Sequence, residues 1–169
     1  VIGKGGKGIS EADAMKHVWG YTAINDVTAR DWQQRHKQWF LGKSFDTFCP
    51  MGPWVVTADE VNAEDISVKC WVNGELRQNS NTSDFIHNTQ KMISYISAYW
   101  TLEPGDIIFT GTPEGVIAGM PKDKQVWLKK GDKVLFGRYA GDDLKLKTKD
   151  GKDVEVKVLH LDSVLGLVK

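Results

Sequence analysis

The sequence is poor in cysteine and has no excess of charge of either sign. Only two of its 169 residues, Cys49 and Cys70, are cysteines, and 22 Lys and Arg balance 22 Asp and Glu. Two cysteines without metal-ligand spacing exclude a disulfide framework and indicate free thiols; a Cys49–Cys70 disulfide is the less favoured alternative. A net charge of zero means that the chain has no excess of positive charge with which to bind nucleic acid or an anionic membrane surface. We therefore expect neither as a partner.

Long hydrophobic runs are also missing. No apolar stretch approaches the roughly 20 residues that cross a bilayer. The chain begins "VIGKGG", with neither Met nor a signal peptide, so we expect it to be the inside of a longer protein. We expect an intracellular location, and the sequence leaves the cytoplasm and the mitochondrial matrix both open. With 41% hydrophobic and 26% charged residues, the chain can form a globular domain with a real core.

The patterning of the first half predicts short strands and helices in an α+β fold that is mostly β. Ser10 and Asp13 have the spacing of a capping box, which predicts a short helix over about 11–17. Residues 18–25, "VWGYTAIN", are typical of a strand. Thr28 is the predicted N-cap of the next helix, "ARDWQQRHKQW", because an acidic residue stands three positions behind it.

The second half contains stronger local signals. Asn73-Gly74 between two alternating runs predicts a β-hairpin. Ser83 is the predicted cap of a longer helix over about 84–100, whose core-facing stripe consists of Ile86, Ile93, Ile96 and Trp100. The stretch "LEPGDIIFTGTPEG" is typical of a turn, a strand and a Gly-rich loop. Further short strands follow, two of them joined by a predicted turn at Lys149-Asp150-Gly151.

Two acids in "INDVTARDWQ" stand at a strand-to-helix junction. Asp31 is explained as the cap partner of Thr28, whereas Asp26 precedes the helix and needs another explanation. Arg30 and Gln33, three residues apart, share a helix face near the same end. A carboxylate, a guanidinium and an amide that converge there suit an anionic, oxygen-rich ligand beside a hard cation. From geometry alone, a surface ion pair between Asp26 and Arg30 is the favoured alternative.

Two other stretches offer polar groups with weaker signals. Lys43, in "LGKSFDTF", lies between a glycine and a polar loop, and a lone lysine is usually solvated. The loop "TGTPEG" carries Thr110 and Thr112 but lacks the lysine and the spacing of a phosphate-binding P-loop. A plain tight turn is the alternative for that loop.

Four ordered blocks together resemble the fumarylacetoacetate hydrolase family: "GYTAINDVTARDWQ", "GKSFDTFCPMGPWVV", "VNGELRQNSNT" and "LEPGDIIFTGTPEGV". The resemblance covers residues 1 to about 134 and implies a mixed β-roll of the fumarylacetoacetase C-terminal-domain type, usually a homodimer. It also implies a carboxylate site for Mg²⁺, or for Mn²⁺ or Ca²⁺ instead. Members of the family hydrolyse C–C bonds in acylpyruvates and other diketo acids, decarboxylate oxaloacetate, or tautomerise related oxo acids.

The resemblance also implies roles for five residues. Asp26 matches a metal-ligand aspartate, and Lys43 matches the catalytic lysine. Arg30 and Gln33 match substrate-side groups, Gln33 also with a catalytic role, and Thr112 matches the threonine of the G-T loop. The chemistry is coherent, because a cation polarises the carbonyl of an oxo acid while a lysine stabilises the developing oxyanion. The expected partner is therefore a small oxo or diketo acid.

The chain departs from the family pattern at both ends. Two further metal ligands, a Glu-x-Glu pair, and a lid with an acid–base His and Glu would precede Val1, so we expect this chain to be an incomplete catalytic domain over 1–130. Residues 131–169 resemble instead the second half of the co-chaperonin barrel, notably "GDKVLFGRYAG". The alternative function is therefore a catalytically inactive, truncated or fused paralogue with a co-chaperonin-like tail.

Overall fold

The computed structural model describes residues 1–35 and 37–137, and the backbone of two further strands. The helices are α1 (Arg30–Arg35) and α2 (Thr89–Tyr99), and the strands are β1 (Gly20–Tyr21), β2 (Val56–Thr57), β3 (Ser67–Val72), β4 (Glu75–Asn81), β5 (Val134–Gly137), β6 (Asp143–Lys147) and β7 (Asp153–Lys157). Short 3₁₀ turns cover Ala14–His17, Trp39–Lys43, Thr82–Asp84, Ile117–Gly119 and Lys122–Lys124. Small antiparallel sheets with few helices confirm the predicted α+β, mostly β class.

The chain forms two compact units, each assembled from three separate segments. Unit 1 comprises Val1–Ile24, Met51–Ser67 and Ser80–Pro113. Unit 2 comprises Asn25–Pro50, Val68–Asn79 and Glu114–Lys169. Among the residues described in either unit, no helix is long and apolar enough to cross a membrane.

Unit 1 has its core around α2. Its buried side chains are Ile2, Ile9, Ala14, Ile93 and Leu102. Ser97, on the inner face of α2, is fully buried and its hydroxyl accepts a hydrogen bond from the Ile9 nitrogen at 3.0 Å. This contact fastens the glycine-rich N-terminal loop to the helix, because the Gly8 nitrogen also donates to the Ser97 carbonyl at 2.8 Å. Strands β1 and β2 pair antiparallel in the same unit.

The first predicted helix is shorter than expected. Ser10 and Asp13 make the predicted capping contacts, since the Ser10 hydroxyl accepts from the Asp13 nitrogen at 3.2 Å. However, the chain forms only a turn and the 3₁₀ segment Ala14–His17. The predicted strand over 18–25 is reduced to β1, flanked by single bridges at Val18 and Ile24.

The predicted start of the long helix was wrong. Asn88, rather than Ser83, caps α2, because its side chain accepts from the Lys91 nitrogen at 2.9 Å. Ser83 lies in a separate 3₁₀ turn that Asn81 caps. Ile86 therefore precedes the helix and is 92% exposed, whereas Ile93 faces the core as predicted.

The predicted stripe was wrong at its other end as well, where Trp100 is 58% exposed. The strand predicted within "LEPGDIIFTGTPEG" is also not formed. Its backbone pairs with the N-terminal segment at two places, where Leu102 bonds to Gly6 and where Gly105 and Asp106 bond to Ile2. Residues 106–110 do not form a strand.

Unit 2 contains a sheet of order β4-β3-β5 and confirms the predicted hairpin. Asn73 and Gly74 both have positive φ, 52° and 84°, which is the backbone of a type I′ turn between β3 and β4. The Asn73 side chain donates to Asp132 at 3.0 Å and accepts from the Lys133 nitrogen at 2.9 Å, so the turn is fastened to the start of β5.

The tail is described only in part. Strands β6 and β7 pair antiparallel, as expected for two strands joined by a hairpin. The predicted turn at 149–151 and most of the segment that resembles the co-chaperonin lie outside the described residues.

Candidate functional site

Asp26 and Lys43 meet in unit 2, although 17 residues separate them in the chain. The Lys43 ammonium donates to Asp26 Oδ2 and also to the Thr28 hydroxyl, the latter at 3.1 Å. The Thr28 hydroxyl in turn donates to the Asp26 carbonyl at 3.2 Å. The interpretation of Asp26 as the ion-pair partner of Arg30 was therefore wrong, because Lys43 takes that place.

Thr28 has a different role from the one predicted. Its hydroxyl anchors Lys43 rather than serving as the helix cap, and α1 runs only from Arg30 to Arg35. A helix of six residues has only a small macrodipole, so the predicted attraction of anions to its N-terminus carries little weight. The positive charge at this place comes from side chains instead.

Arg30 and Gln33 meet on one face of α1, as their spacing predicted. Arg30 Nη1 donates to Gln33 Oε1 at 2.6 Å, and the Gln33 side chain is 4% exposed. Arg30 Nε is buried without a hydrogen-bond partner in the described part of the chain, and no carboxylate there lies within ion-pair distance of the guanidinium. Gln33 thus orients a guanidinium whose charge has no protein counter-ion among these residues.

Gly42 sets the spacing between α1 and the 3₁₀ turn Trp39–Lys43. Its carbonyl accepts from the Ala29 nitrogen at 2.8 Å. A Cβ atom on Gly42 would lie 2.8 Å from the Ala29 oxygen and 2.7 Å from the Gln33 nitrogen. Only glycine fits here, because backbone atoms cannot move away as a flexible side chain can. The close approach of the two segments places Lys43 beside Asp26. The sequence signal for this packing was Gly42, directly before the candidate lysine.

Three aromatic side chains of unit 2 pack against one another. Trp32 and Phe45 contact edge to face at 5.6 Å between ring centroids, and Phe45 and Phe48 do so at 5.4 Å. Cys49 follows, and burial, then the negative charge of Asp26, raise the pKa of its thiol. A raised pKa keeps the thiol protonated, so Cys49 is a poor nucleophile. Both cysteines are free thiols, as predicted.

Thr112 belongs to unit 1 rather than unit 2. It lies in an exposed part of the loop that follows Asp106. Its predicted contact with substrate stays a prediction.

The described residues do not by themselves fit a divalent cation. The Asp26 carboxylate is an oxygen ligand of the right chemistry for Mg²⁺ or Mn²⁺. However, one of its oxygens already accepts from the Lys43 ammonium. Within residues 1–35 and 37–137, no three His, Cys, Asp or Glu side chains group closely enough to hold a metal ion. Asp26 could be one ligand only if others were added.

Comparison with known proteins identifies the sequence family. The profile of the family described as fumarylacetoacetate hydrolase C-terminal matches residues 1–138. The mitochondrial oxaloacetate tautomerase FAHD2B of Bos taurus is 53% identical over 137 residues. That alignment includes 79% of this chain and 43% of the relative, so the chain spans less than half the length of this curated relative.

Solved structures agree in fold. A fumarylacetoacetate hydrolase from Exiguobacterium antarcticum is similar with a TM-score of 0.78 and 44% identity, over 81% of this chain and 49% of that one. A fumarylpyruvate hydrolase from Pseudomonas aeruginosa, in complex with Mn²⁺ and pyruvate, is similar with a TM-score of 0.70 and 37% identity. This second similarity covers 80% of this chain and 56% of that one.

Proposed function

Because the chain belongs to the fumarylacetoacetate hydrolase family, we propose that it forms the anion-binding part of an oxo-acid tautomerase, with oxaloacetate as the substrate. The observation that carries the proposal is the guanidinium of Arg30, which has no counter-ion among the described residues and is held by buried Gln33 in the same unit as Lys43. Tautomerisation is preferred to C–C hydrolysis because the tautomerases among the relatives are more similar in sequence than the fumarylpyruvate hydrolase.

Each charged group has a task that its chemistry suits. Oxaloacetate is a dianion, and a guanidinium binds a carboxylate through two parallel hydrogen bonds. Gln33 accepts one Arg30 donor and so fixes the plane of the guanidinium. An oriented guanidinium loses less conformational freedom when it binds, which favours affinity.

Lys43 is proposed to stabilise the enolate. In tautomerisation a base from outside the described residues takes the C3 proton, and the electron pair of the broken C3–H bond forms the C2=C3 bond. The C2=O π electrons move onto the C2 oxygen, which carries the negative charge until it is protonated. An ammonium has three donors, and two of those on Lys43 go to Asp26 and Thr28. The third donor can reach the developing oxyanion, where a fixed positive charge lowers the barrier.

We propose that Asp26 also serves as one ligand of a divalent cation, Mg²⁺ by the family resemblance, together with oxygen ligands from outside the described residues. A homodimer and a mitochondrial location are proposed from the same relationship. The Mn²⁺ in the complex of the fumarylpyruvate hydrolase supports a divalent ion in that relative.

Oxalate tests the anion site, because it is a planar dianion that resembles the enolate of a 2-oxo acid. We expect oxalate to shift the NMR signals of the backbone amides of residues 26–43. Arg30→Gln and Lys43→Met should each weaken the binding by about ten-fold, as expected for loss of one charged hydrogen-bonding partner.

Lys16→Met is the matched control, because Lys16 also pairs with an aspartate, Asp13, at 2.7 Å but lies in unit 1. The control should bind oxalate as the unmodified chain does. Equal affinity in Arg30→Gln and the unmodified chain would show that this guanidinium does not bind the substrate carboxylate. A matching loss of enol-form interconversion, followed by ultraviolet absorbance, would extend the result to catalysis.

A further inference from the structure

Two Lys–Asp ion pairs among the described residues differ in how firmly the lysine is held. Lys16 and Asp13 are neighbours in sequence, with side chains 72% and 53% exposed. Lys43 and Asp26 are distant in sequence, with side chains 29% and 37% exposed. Within the part of the chain that the structure describes, Lys16 donates to Asp13, whereas Lys43 donates both to Asp26 and to Thr28. The Lys43–Asp26 pair is therefore a partly buried tertiary contact, while the Lys16–Asp13 pair is an ordinary surface contact.

The placement of Lys43 matters for any cation that approaches Asp26. An ammonium at a carboxylate neutralises its charge and repels a second positive ion, and the repulsion grows as water is excluded. The backbone next to Lys43 is also restrained, since Gly42 packs closely against the backbone of Ala29 and Gln33 and accepts a hydrogen bond from the Ala29 nitrogen. A movement of the 3₁₀ turn would therefore disrupt the hydrogen bond between the Ala29 nitrogen and the Gly42 carbonyl.

We propose that Lys43 is the resident counter-ion of Asp26 and keeps divalent cations off this carboxylate in the chain as it stands. Asp26 by itself then does not bind a divalent cation. It does so only where additional oxygen ligands stabilise the cation more than the Lys43 ammonium repels it. The inference rests on the proposed function in one respect, the assignment of Asp26 as a metal ligand. It goes beyond that assignment because it gives Lys43 a role before any substrate binds.

Paramagnetic Mn²⁺ is the probe, because it broadens the NMR signals of nearby amides even at low occupancy. We expect Lys43→Gln to broaden the amide signals of Asp26 and Val27 at about five-fold lower Mn²⁺ concentration than the unmodified chain requires, since a competing positive charge is removed. Lys16→Gln is the matched control and should leave these two signals unchanged while it affects Asp13. Thr28→Val, which loses one anchor of Lys43 but keeps its charge, should give a smaller change in the same direction.

The outcomes separate this inference from the proposed function. Equal or weaker broadening at Asp26 in both Lys43→Gln and Thr28→Val, including none at all, overturns the counter-ion role. Asp26→Asn combined with Lys43→Gln should abolish the broadening. If broadening persists in this double variant, Asp26 is not the ligand, and the metal assignment in the proposed function fails. Loss of oxalate binding alone leaves the counter-ion role intact, because the Mn²⁺ titration contains no oxo acid.

Discussion

A Cβ atom on Gly42 would stand 2.7 Å from the backbone nitrogen of Gln33, so the residue before Lys43 has no room for a side chain. The close approach joins α1 to the 3₁₀ turn and so places the charged groups of unit 2. The geometry of the site therefore depends on Gly42, a residue without a side chain that could bind or react.

Gly42→Ala should lower the free energy of unfolding by about 2–3 kcal/mol, because backbone atoms must shift to admit the methyl group. Gly119→Ala is the control, since a Cβ there meets only the Val116 side chain at 3.6 Å. We expect Gly119→Ala to change stability by less than about 1 kcal/mol in either direction. Urea denaturation measures both variants, and equal stability in the two would show that the fold relaxes around position 42.

Gln33→Leu should weaken both stability and oxalate binding. It removes the acceptor of a 2.6 Å hydrogen bond from Arg30 and leaves a charged donor unpaired next to a buried side chain. The expected loss of stability is about 1.5–3 kcal/mol, the range for hydrogen bonds to charged groups. Gln34→Leu alters the exposed neighbouring position and serves as the control. Unchanged oxalate affinity in Gln33→Leu would mean that Arg30 keeps its orientation without this partner.

Asn88→Ala should cost about 1 kcal/mol of stability, the usual value of an N-cap, because the Lys91 nitrogen loses its acceptor. Ser83→Ala should remain within about 0.5 kcal/mol, since position 83 is exposed and outside α2. Thermal unfolding followed by circular dichroism compares the two. A larger loss in the serine variant would contradict the assignment of the cap.

The contacts of Asp132 should make the free energy of unfolding depend on pH in the acid range. The hydrogen bond from the Asn73 side chain, then that from the Lys129 nitrogen, lower the pKa of this carboxyl below its ordinary value of 3.8. A carboxyl with a lowered pKa in the folded state stabilises the fold above pH 3.8, and this contribution disappears as the pH falls through the lower folded value. Asp132→Asn should therefore flatten the acid limb of a plot of denaturation midpoint against pH, whereas the exposed-site control Asp123→Asn should not. An unchanged acid limb in Asp132→Asn would exclude this coupling.

The sequence predicted best where the signal is local. The Asn73-Gly74 turn follows from two adjacent residues that tolerate positive φ, and the structure has it there. Arg30 and Gln33 meet because helical spacing alone brings them together. The predicted start of α2 was wrong because two residues able to cap a helix, Ser83 and Asn88, lie close together there. The local pattern does not choose between them.

The sequence predicted least where distant segments meet. The contact of Lys43 with Asp26 joins positions 17 residues apart and requires the tight packing of Gly42 against α1. No periodicity encodes that packing. The spacing of Thr28 to Asp31 predicts a helix cap, but in the structure the Thr28 hydroxyl accepts from the Lys43 ammonium instead. Tertiary contacts thus replaced the locally favoured partners.

The division of the chain into interleaved segments has a consequence for biosynthesis. Unit 1 is complete only when Pro113 has been made, and unit 2 takes its last segment from Glu114 onward. Neither unit can close before the residues up to Leu102 have been made. The nascent chain must therefore hold the apolar residues Ile2 and Ile9 without their partner Leu102 until the intervening residues have been made. At the usual elongation rates this lasts for several seconds or more, an interval in which we expect chaperones to bind.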